Sequence, residues 1–294
     1  MSFDRANAKI VEWADGHGMF KRAESPALRV ISLGAGVQST VMALMAAHGE
    51  IGPMPDCAIF ADTGWEPAGV YEHLDWLEKQ LPFPTYRVSA GNIRDDHIAS
   101  LKTKDRRLAT MPSFTANGGM GRRECTREYK VDPIRKKQRD LLGIKPRQRV
   151  PKGTEAEQWI GISTDEAGRI KPSRDKWQIN HWPLIDADMS RQDCIKWFAE
   201  KYPGRVLSKS ACIGCPFHNN NNWRDLRDND PVSWADAVDF DKAIRHDGLT
   251  LGKMKEQQYL HRSCVPLDEV DLSTAEDRGQ LNFFINECEG MCGV

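Results

Sequence analysis

The stretch "LRVISLGAGVQSTVMALMAAHGE" constrains the chain most. A short apolar run, "LRVISLG", ends on glycines and gives way to a longer apolar run, "STVMALMAAHGE". That change of length and spacing predicts a strand, a tight turn and a helix. The pattern recurs: "DCAIFADTG" is a second strand and turn, "GVYEHLDWLEKQL" a helix, and "TYRVSAG" a third strand. Strands alternating with helices imply βαβ crossovers, hence an α/β fold with a mostly parallel twisted sheet and helices on both faces. Ligands of such sheets bind outside the carboxyl ends of the strands, near the switch in strand order. Both "SLGAGVQST" and "ADTGWEP" fall at such ends.

The first of these turns has the composition of a phosphate loop without either common signature. It lacks the lysine of a Walker A loop, and Gly34-x-Gly36-x-x-Ser39 ends in serine where a dinucleotide fingerprint has glycine or alanine. Gly34, Ala35 and Gly36 let the main chain approach an anion closely, and the helix that follows presents free N–H groups and its positive dipole end. The Ser39 hydroxyl is placed to cap that helix and to touch a phosphate oxygen. Tight strand-to-helix turns also use glycine for packing alone. Asp62, Thr63 and Gly64 form a polar turn at the second strand end, where adenosine or a metal would meet the protein. A nicotinamide or flavin enzyme would also carry an acid there, about 20 residues after its glycines, and Asp62 could equally cap the next helix.

Further along, residues 1–28 read as a helical lead-in, 29–189 as a nucleotide-binding α/β domain, and 190–294 as a mainly helical region with a cysteine-containing tail. "ATMPSFTANGGMGRR" is glycine-rich and aperiodic, the pattern of a mobile loop or lid. A basic helix is expected from about Thr126 to Leu142. "QWIGIS" is a short strand before the charged turn "TDEAGR". Ser190 is placed to cap one later helix, and Pro231 to open another. "GISTDEAGRIKPS" gathers Asp165, Glu166, Arg169 and Lys171, a set suited to a nucleotide's phosphate and ribose or to a solvated loop. No apolar run approaches the roughly 18 residues of a membrane span, and the first residues lack a signal-peptide core, so a cytoplasmic protein without membrane contact is expected. From Arg122 to Arg149 the chain carries eleven Lys or Arg against four acids. That is either a solvated helix face or a surface for nucleotide phosphates or nucleic acid.

Eight cysteines without a secretory leader argue against a disulfide scaffold. Cys57 and Cys194 lie in apolar patterns and read as core. Cys212-x-x-Cys215-Pro216 can clamp a metal ion or one edge of an iron–sulfur cluster, with His218 as a further ligand candidate. Cys125, in the basic segment, is expected to have a lowered pKa. Cys125, Cys212 and Cys215 together suit a cluster with one open iron, and a reduced or zinc-bound structural pair is the alternative. Cys288 and Cys292 in the tail suit a resolving dithiol, a fourth ligand, or no role.

As an ensemble, the segments from about Val30 to Phe217 resemble the 3′-phosphoadenosine 5′-phosphosulfate (PAPS) reductase branch of the PP-loop superfamily. The superfamily's S-G-G-x-D-S motif reads here as Gly34-Ala35-Gly36-Val37-Gln38-Ser39, and its D-T-G turn is intact at Asp62-Thr63-Gly64. A family-like R-x-C-T-x-x-Y-K-x-x-P segment appears as Arg123, Cys125, Thr126, Tyr129, Lys130 and Pro133. The resemblance implies an adenine nucleotide, PAPS or ATP, with phosphates on Ser32, Gly34, Ala35, Gly36, Gln38 and Ser39. Asp62, Thr63 and Gly64 would line its pocket, and Arg123, Lys130, Arg169 and Lys171 would neutralise anionic groups. It implies either a PAPS or adenosine phosphosulfate reductase served by a thioredoxin-like reductant, or an ATP pyrophosphatase that activates a substrate, as in sulfur modification of nucleic acid. Cysteine-bearing relatives of either group can hold a [4Fe-4S] cluster, and divergent members occur on phages and plasmids and beside CRISPR systems. Two departures stand out. Gln38 replaces the family's aspartate, which bears on magnesium, and the reductase tail is only echoed around Cys288, the nucleophile candidate. A PP-loop module without catalysis, serving as a scaffold, is a third reading.

Overall fold

The computed structural model describes residues 3–16, 22–103, 105, 111–207, 209–250, 256–274 and 277. Its strands are β1 (Leu28–Leu33), β2 (Cys57–Asp62), β3 (Thr85–Ser89), β4 (Phe114–Thr115), β5 (Ala156–Ile160), β6 (Gln178–His181) and β7 (Gln258–Tyr259). Its α-helices are α1 (Phe3–Gly16), α2 (Val37–Ala47), α3 (Ala68–Glu78), α4 (Ile93–Leu101), α5 (Asp132–Leu141), α6 (Pro183–Asp186), α7 (Arg191–Lys201), α8 (Asn220–Asn229) and α9 (Pro231–Thr250). The chain divides into two compact units, Met1–Ala61 with Gly69–Val88 and Asp132–Ser210, and Asp62–Ala68 with Ser89–Val131 and Ala211–Val294.

The first unit is built on a five-stranded sheet of order β3-β2-β1-β5-β6, in which β1 pairs parallel with both β2 and β5, and β5 parallel with β6. Successive side chains of a strand point to opposite faces, and the core obeys that rule. Ile31 and Leu33 of β1 and Phe60 of β2 join Val41 and Leu44 of α2, Leu74 and Leu77 of α3 and Phe198 of α7. Leu28, Val30 and Ile59 point the other way, to Ile134 of α5. The sheet is therefore covered on both faces, as a parallel sheet must be. Ile10, Val11 and Ala14 of α1 pack on Ile160, Ile162 and Ile185, so the lead-in helix belongs to this unit.

Helix α7 buries Cys194 and Phe198 in the sheet-face core of the first unit. Two expectations need correction. The basic helix is not one helix, because a π-helical turn, Thr126–Val131, precedes α5. Pro133, at the second position of α5, has no N–H to give the ladder, which breaks a continuous α-helix there. The segment after Ala109 is not a free loop throughout. Met111, Pro112 and Ser113 are buried, and Phe114 and Thr115 pair antiparallel with Tyr259 and Gln258; Ala109 and Thr110 lie outside the described residues. Strand β6 had no counterpart in the sequence reading.

The second unit has its own core, in which Trp65, Trp223, Leu226, Phe240 and Leu260 pack with α4. Its buried Asp241 accepts the N–H groups of Leu260 and Leu267 at 2.8 and 3.0 Å and the Arg245 guanidinium. These bonds tie the segment around β7 to α9. Among the described residues no helix is long and apolar enough to cross a membrane.

Candidate functional site

The glycine loop leaves the sheet from its central strand, where Ser32 lies between Ile59 of β2 and Ile160 of β5. The turn is made by a residue other than glycine: Ala35 takes the left-handed φ of 54° and is buried. Neither Gly34 nor Gly36 has a positive φ, and a methyl group added at either would meet its nearest neighbour, in Ser39 or Ser210, at an ordinary 3.6 Å. The fold of the first unit would therefore tolerate alanine at both positions. What the two glycines provide is a bare main chain at the start of α2, whose first turn carries no acidic residue and whose N-cap, Gly36, offers no side-chain cap. The first N–H groups of a helix have no partner within it, and here no N-cap side chain accepts them.

Ser39 holds the loop shut from within. Its hydroxyl accepts the Gly34 N–H at 3.2 Å and donates to the Gly36 carbonyl at 3.3 Å. Ser39→Ala removes both bonds and is expected to lower the stability of the first unit by about 1 kcal/mol, read as a shift in the denaturant midpoint. A midpoint that does not move would mean that these bonds do not hold the turn. Gly161, just past β5, closes the loop from outside. A Cβ there would lie 2.8 Å from the Ser39 nitrogen and 2.9 Å from its Cα. The sequence marks this position only as a glycine at the end of a strand, and its role escaped the sequence reading.

The side chain of Gln38 is buried and engaged at both ends. Its Oε1 accepts from Arg191 Nη1 at 2.8 Å and its Nε2 donates to Ser163 Oγ at 3.4 Å. It thereby ties α2 to the segment after β5 and to the start of α7. Of the cations expected on that segment, Arg169 pairs with Glu166 at 2.6 Å, which neutralises its charge locally. Burial raises the Glu166 carboxyl above its ordinary pKa, against the opposing pull of Arg169. Lys171 is exposed. A cavity of about 650 Å³ in this unit is lined by Asn7, Glu12, Asp15, Asp165, Asp186 and Asp188, a carboxylate-rich wall unsuited to phosphate.

The second unit holds the D-T-G turn. Gly64 has a φ of +70°, and a Cβ would lie 3.0 Å from Asn92 Cα, so glycine is required for the turn itself. Asp62 Oδ1 accepts the Gly64 N–H at 2.7 Å, a turn-forming contact. The amide of Asn92 donates to the Gly64 carbonyl at 2.7 Å while its Oδ1 caps α4 through the Asp95 N–H. Beside this turn sits a cluster the sequence did not announce. Glu66, nearly fully buried, accepts from Thr63 Oγ1 at 3.2 Å and from Cys212 Sγ at 3.4 Å, with Lys130 Nζ at 3.9 Å. Lys130 is carried by the π-helical turn, a distortion frequent at functional sites. Arg123 lies over the Phe217 ring, 5.1 Å from its centroid.

The cysteines separate by environment. Cys57 and Cys194 are core, as expected, and burial pushes each thiol up to about 12. For Cys125 the expectation of a lowered pKa is overturned: burial raises it, and the nearby positive charges of Arg123 and Lys130 only partly offset that. Cys212 and Cys215 flank a tight turn closed by the Cys215 N–H on the Cys212 carbonyl at 3.0 Å. His218 turns its Nε2 to the same carbonyl at 3.1 Å. Among the described residues no three His, Cys, Asp or Glu side chains are grouped so as to hold a metal ion. Cys288 and Cys292 lie outside the described residues.

No protein-family model and no curated protein matches the chain. Among solved structures it is similar to the crystal structure of PAPS reductase from Candida auris in a phosphate complex, with 14% identity and a TM-score of 0.39 over 69% of this chain and 81% of that one.

Proposed function

We propose that the chain is a PAPS reductase-like enzyme that binds an adenine nucleotide with its phosphates on the loop from Ser32 to Ser39. The observation that carries this is the bare glycine pair, Gly34 and Gly36, which the local fold does not require and which leaves the uncapped start of α2 open to an anion. The motif order from Gly34 to Cys215 supports the assignment to sulfur chemistry. In the reductase reaction the Cys288 thiolate attacks the sulfur of PAPS and the sulfur–oxygen bond to the nucleotide breaks. Adenosine 3′,5′-bisphosphate leaves, and sulfite is then released by a dithiol reductant of the thioredoxin class, which ends as a disulfide. The chain's own contribution is to hold the nucleotide phosphates on main-chain N–H groups while the thiol attacks.

Incubation with PAPS and reduced thioredoxin is expected to release sulfite, and Cys288→Ser to abolish it. Absence of sulfite from the parent protein would end the reductase assignment. The exposed cations Lys136, Lys145, Arg147 and Arg149 favour a second reading, an ATP-using enzyme acting on nucleic acid. Pyrophosphate release from ATP, stimulated by tRNA or DNA, would select it.

A further inference from the structure

Two loops of the first unit carry cations at the end of the sheet away from the glycine loop. Residues 143–155 lead into β5 and residues 171–177 into β6, and both strands run parallel to β1. These loops therefore lie at the amino ends of the strands, whereas the glycine loop leaves the carboxyl end of β1. The six residues of β1 separate the two edges by about 20 Å, at roughly 3.3 Å per residue. No side chain on these loops reaches across that distance to a phosphate on the glycine loop.

Helix α5 ties the two loops together. Arg139 Nη2 donates to the Gln148 carbonyl at 2.5 Å, and one turn earlier on the same face Arg135 pairs with Asp175 at 2.9 Å. The joined loops carry Lys145, Arg147, Arg149, Lys152, Arg174 and Lys176, all exposed. Among the described residues none of these six side chains has a hydrogen-bond or ion-pair partner. Against them stand two acids, Asp175, already held by Arg135, and Glu155.

The first loop is also stiff. Gln148 accepts the Lys145 N–H on its Oε1 at 3.0 Å and returns its own N–H to the Lys145 carbonyl at 3.1 Å. Pro146 and Pro151 fix φ at two further positions. Arg147 sits inside the turn with a left-handed φ of 64°, a conformation that glycine or asparagine adopts with less strain. A guanidinium is thus held out to solvent at a strained position of a closed turn. A membrane surface would call for exposed apolar groups beside such charges, and a single strand for aromatic stacking platforms. These loops expose no large apolar side chain, and their one aromatic, Trp177, packs against the core. Fixed cations alone suit a rigid row of phosphates.

We propose that this edge of the first unit docks the phosphate backbone of a double-stranded nucleic acid, without reading its sequence, at the end of the sheet opposite the glycine loop. The proposal rests on the second reading above for its partner class but needs no turnover of ATP.

Fluorescence anisotropy with a labelled DNA duplex of about 20 base pairs, in 50 and 200 mM KCl, tests it. With about four phosphates contacted, Kd is expected to rise about a hundredfold between the two salts. Arg147→Gly with Arg174→Gln is expected to weaken binding about tenfold in 50 mM KCl and to cut the rise between the salts to about tenfold. Glycine relieves the left-handed φ, so this variant should melt at or above the parent temperature. Lys9→Gln with Lys196→Gln removes the same charge from exposed positions on α1 and α7 and is expected to bind as the parent does. No duplex binding in 50 mM KCl, equal loss in both variants, or loss in neither would overturn the inference. Tighter binding of the single strand, or of phosphatidylserine vesicles, would overturn it as well. Each of these results leaves nucleotide binding at the glycine loop standing. Duplex binding of the expected kind without pyrophosphate release from ATP would end the second reading's chemistry and keep the docking edge.

Discussion

Gly214→Ala is expected to lower the melting temperature of the second unit by roughly 10 °C, the equivalent of about 3 kcal/mol in a unit of this size. A Cβ at this position would lie 2.1 Å from Trp65 Cη2 and 2.5 Å from Cζ3, closer than any pair of carbons can approach without bonding. The indole has nowhere to retreat. Its Nε1 donates to Asp236 Oδ2 at 2.5 Å, Asp236 is held in turn by Arg94 at 2.7 Å, and the ring packs on Phe240 with centroids 4.7 Å apart. The main chain is fixed as well, because the Ile213 N–H donates to the Trp65 carbonyl at 2.8 Å. The middle of the C-x-x-C turn is thus the floor on which Trp65 lies. Gly69→Ala is the control: that glycine is in α3, and a methyl group there meets nothing within 4 Å. It should melt at or slightly above the parent temperature, since alanine is the better helix former. A Gly214→Ala protein melting within 2 °C of the parent, roughly the change from 0.5 kcal/mol, would mean that the indole is not packed on this glycine.

The same turn shows where sequence reasoning stops. Strands β1 and β2 and helix α2 were legible because they are largely buried and read as mainly apolar runs. The Ser190 cap was legible too: it forms a capping box with Asp193, a device confined to four successive residues. Strand β6 was not, since Gln178, Asn180 and His181 give a four-residue edge strand little apolar content to betray it. Glu66 escaped notice because an acid between tryptophan and proline looks like a turn residue. Only the folded second unit brings Thr63, Lys130 and Cys212 around it. Cys125 was misjudged for a related reason: charges along the chain can be counted, whereas burial, which here outweighs them, depends on the tertiary packing.

Glycines divide along the same line, between those that bend the chain and those that are approached by it. Gly64 has a left-handed φ that its D-T-G context already suggests. Gly161 and Gly214 have no such φ; each is demanded by a residue distant in sequence, Ser39 in one case and Trp65 in the other. No local pattern encodes that demand.

Gly161→Ala therefore separates the loop's geometry from its chemistry. The added methyl group would press on main-chain atoms, Ser39 N at 2.8 Å, Ser39 Cα at 2.9 Å and the Gln38 carbonyl carbon at 3.1 Å, so relief requires α2 or the end of β5 to shift. The cost is about 2 kcal/mol, seen as a lower denaturant midpoint for the first unit. A shift of a few tenths of an ångström moves the first-turn N–H groups from any phosphate they hold, and nucleotide affinity is expected to fall at least tenfold. Gly36→Ala is the counterpart. Its methyl group fits at 3.6 Å in the free protein, so stability should stay within about 0.5 kcal/mol of the parent while affinity drops, because the methyl group occupies space the phosphate needs. Loss of affinity in both variants with loss of stability only in Gly161→Ala is the expected pattern. If Gly36→Ala instead binds adenosine 3′,5′-bisphosphate as the parent does, no phosphate approaches that main chain, and the bare glycine pair has lost its functional meaning.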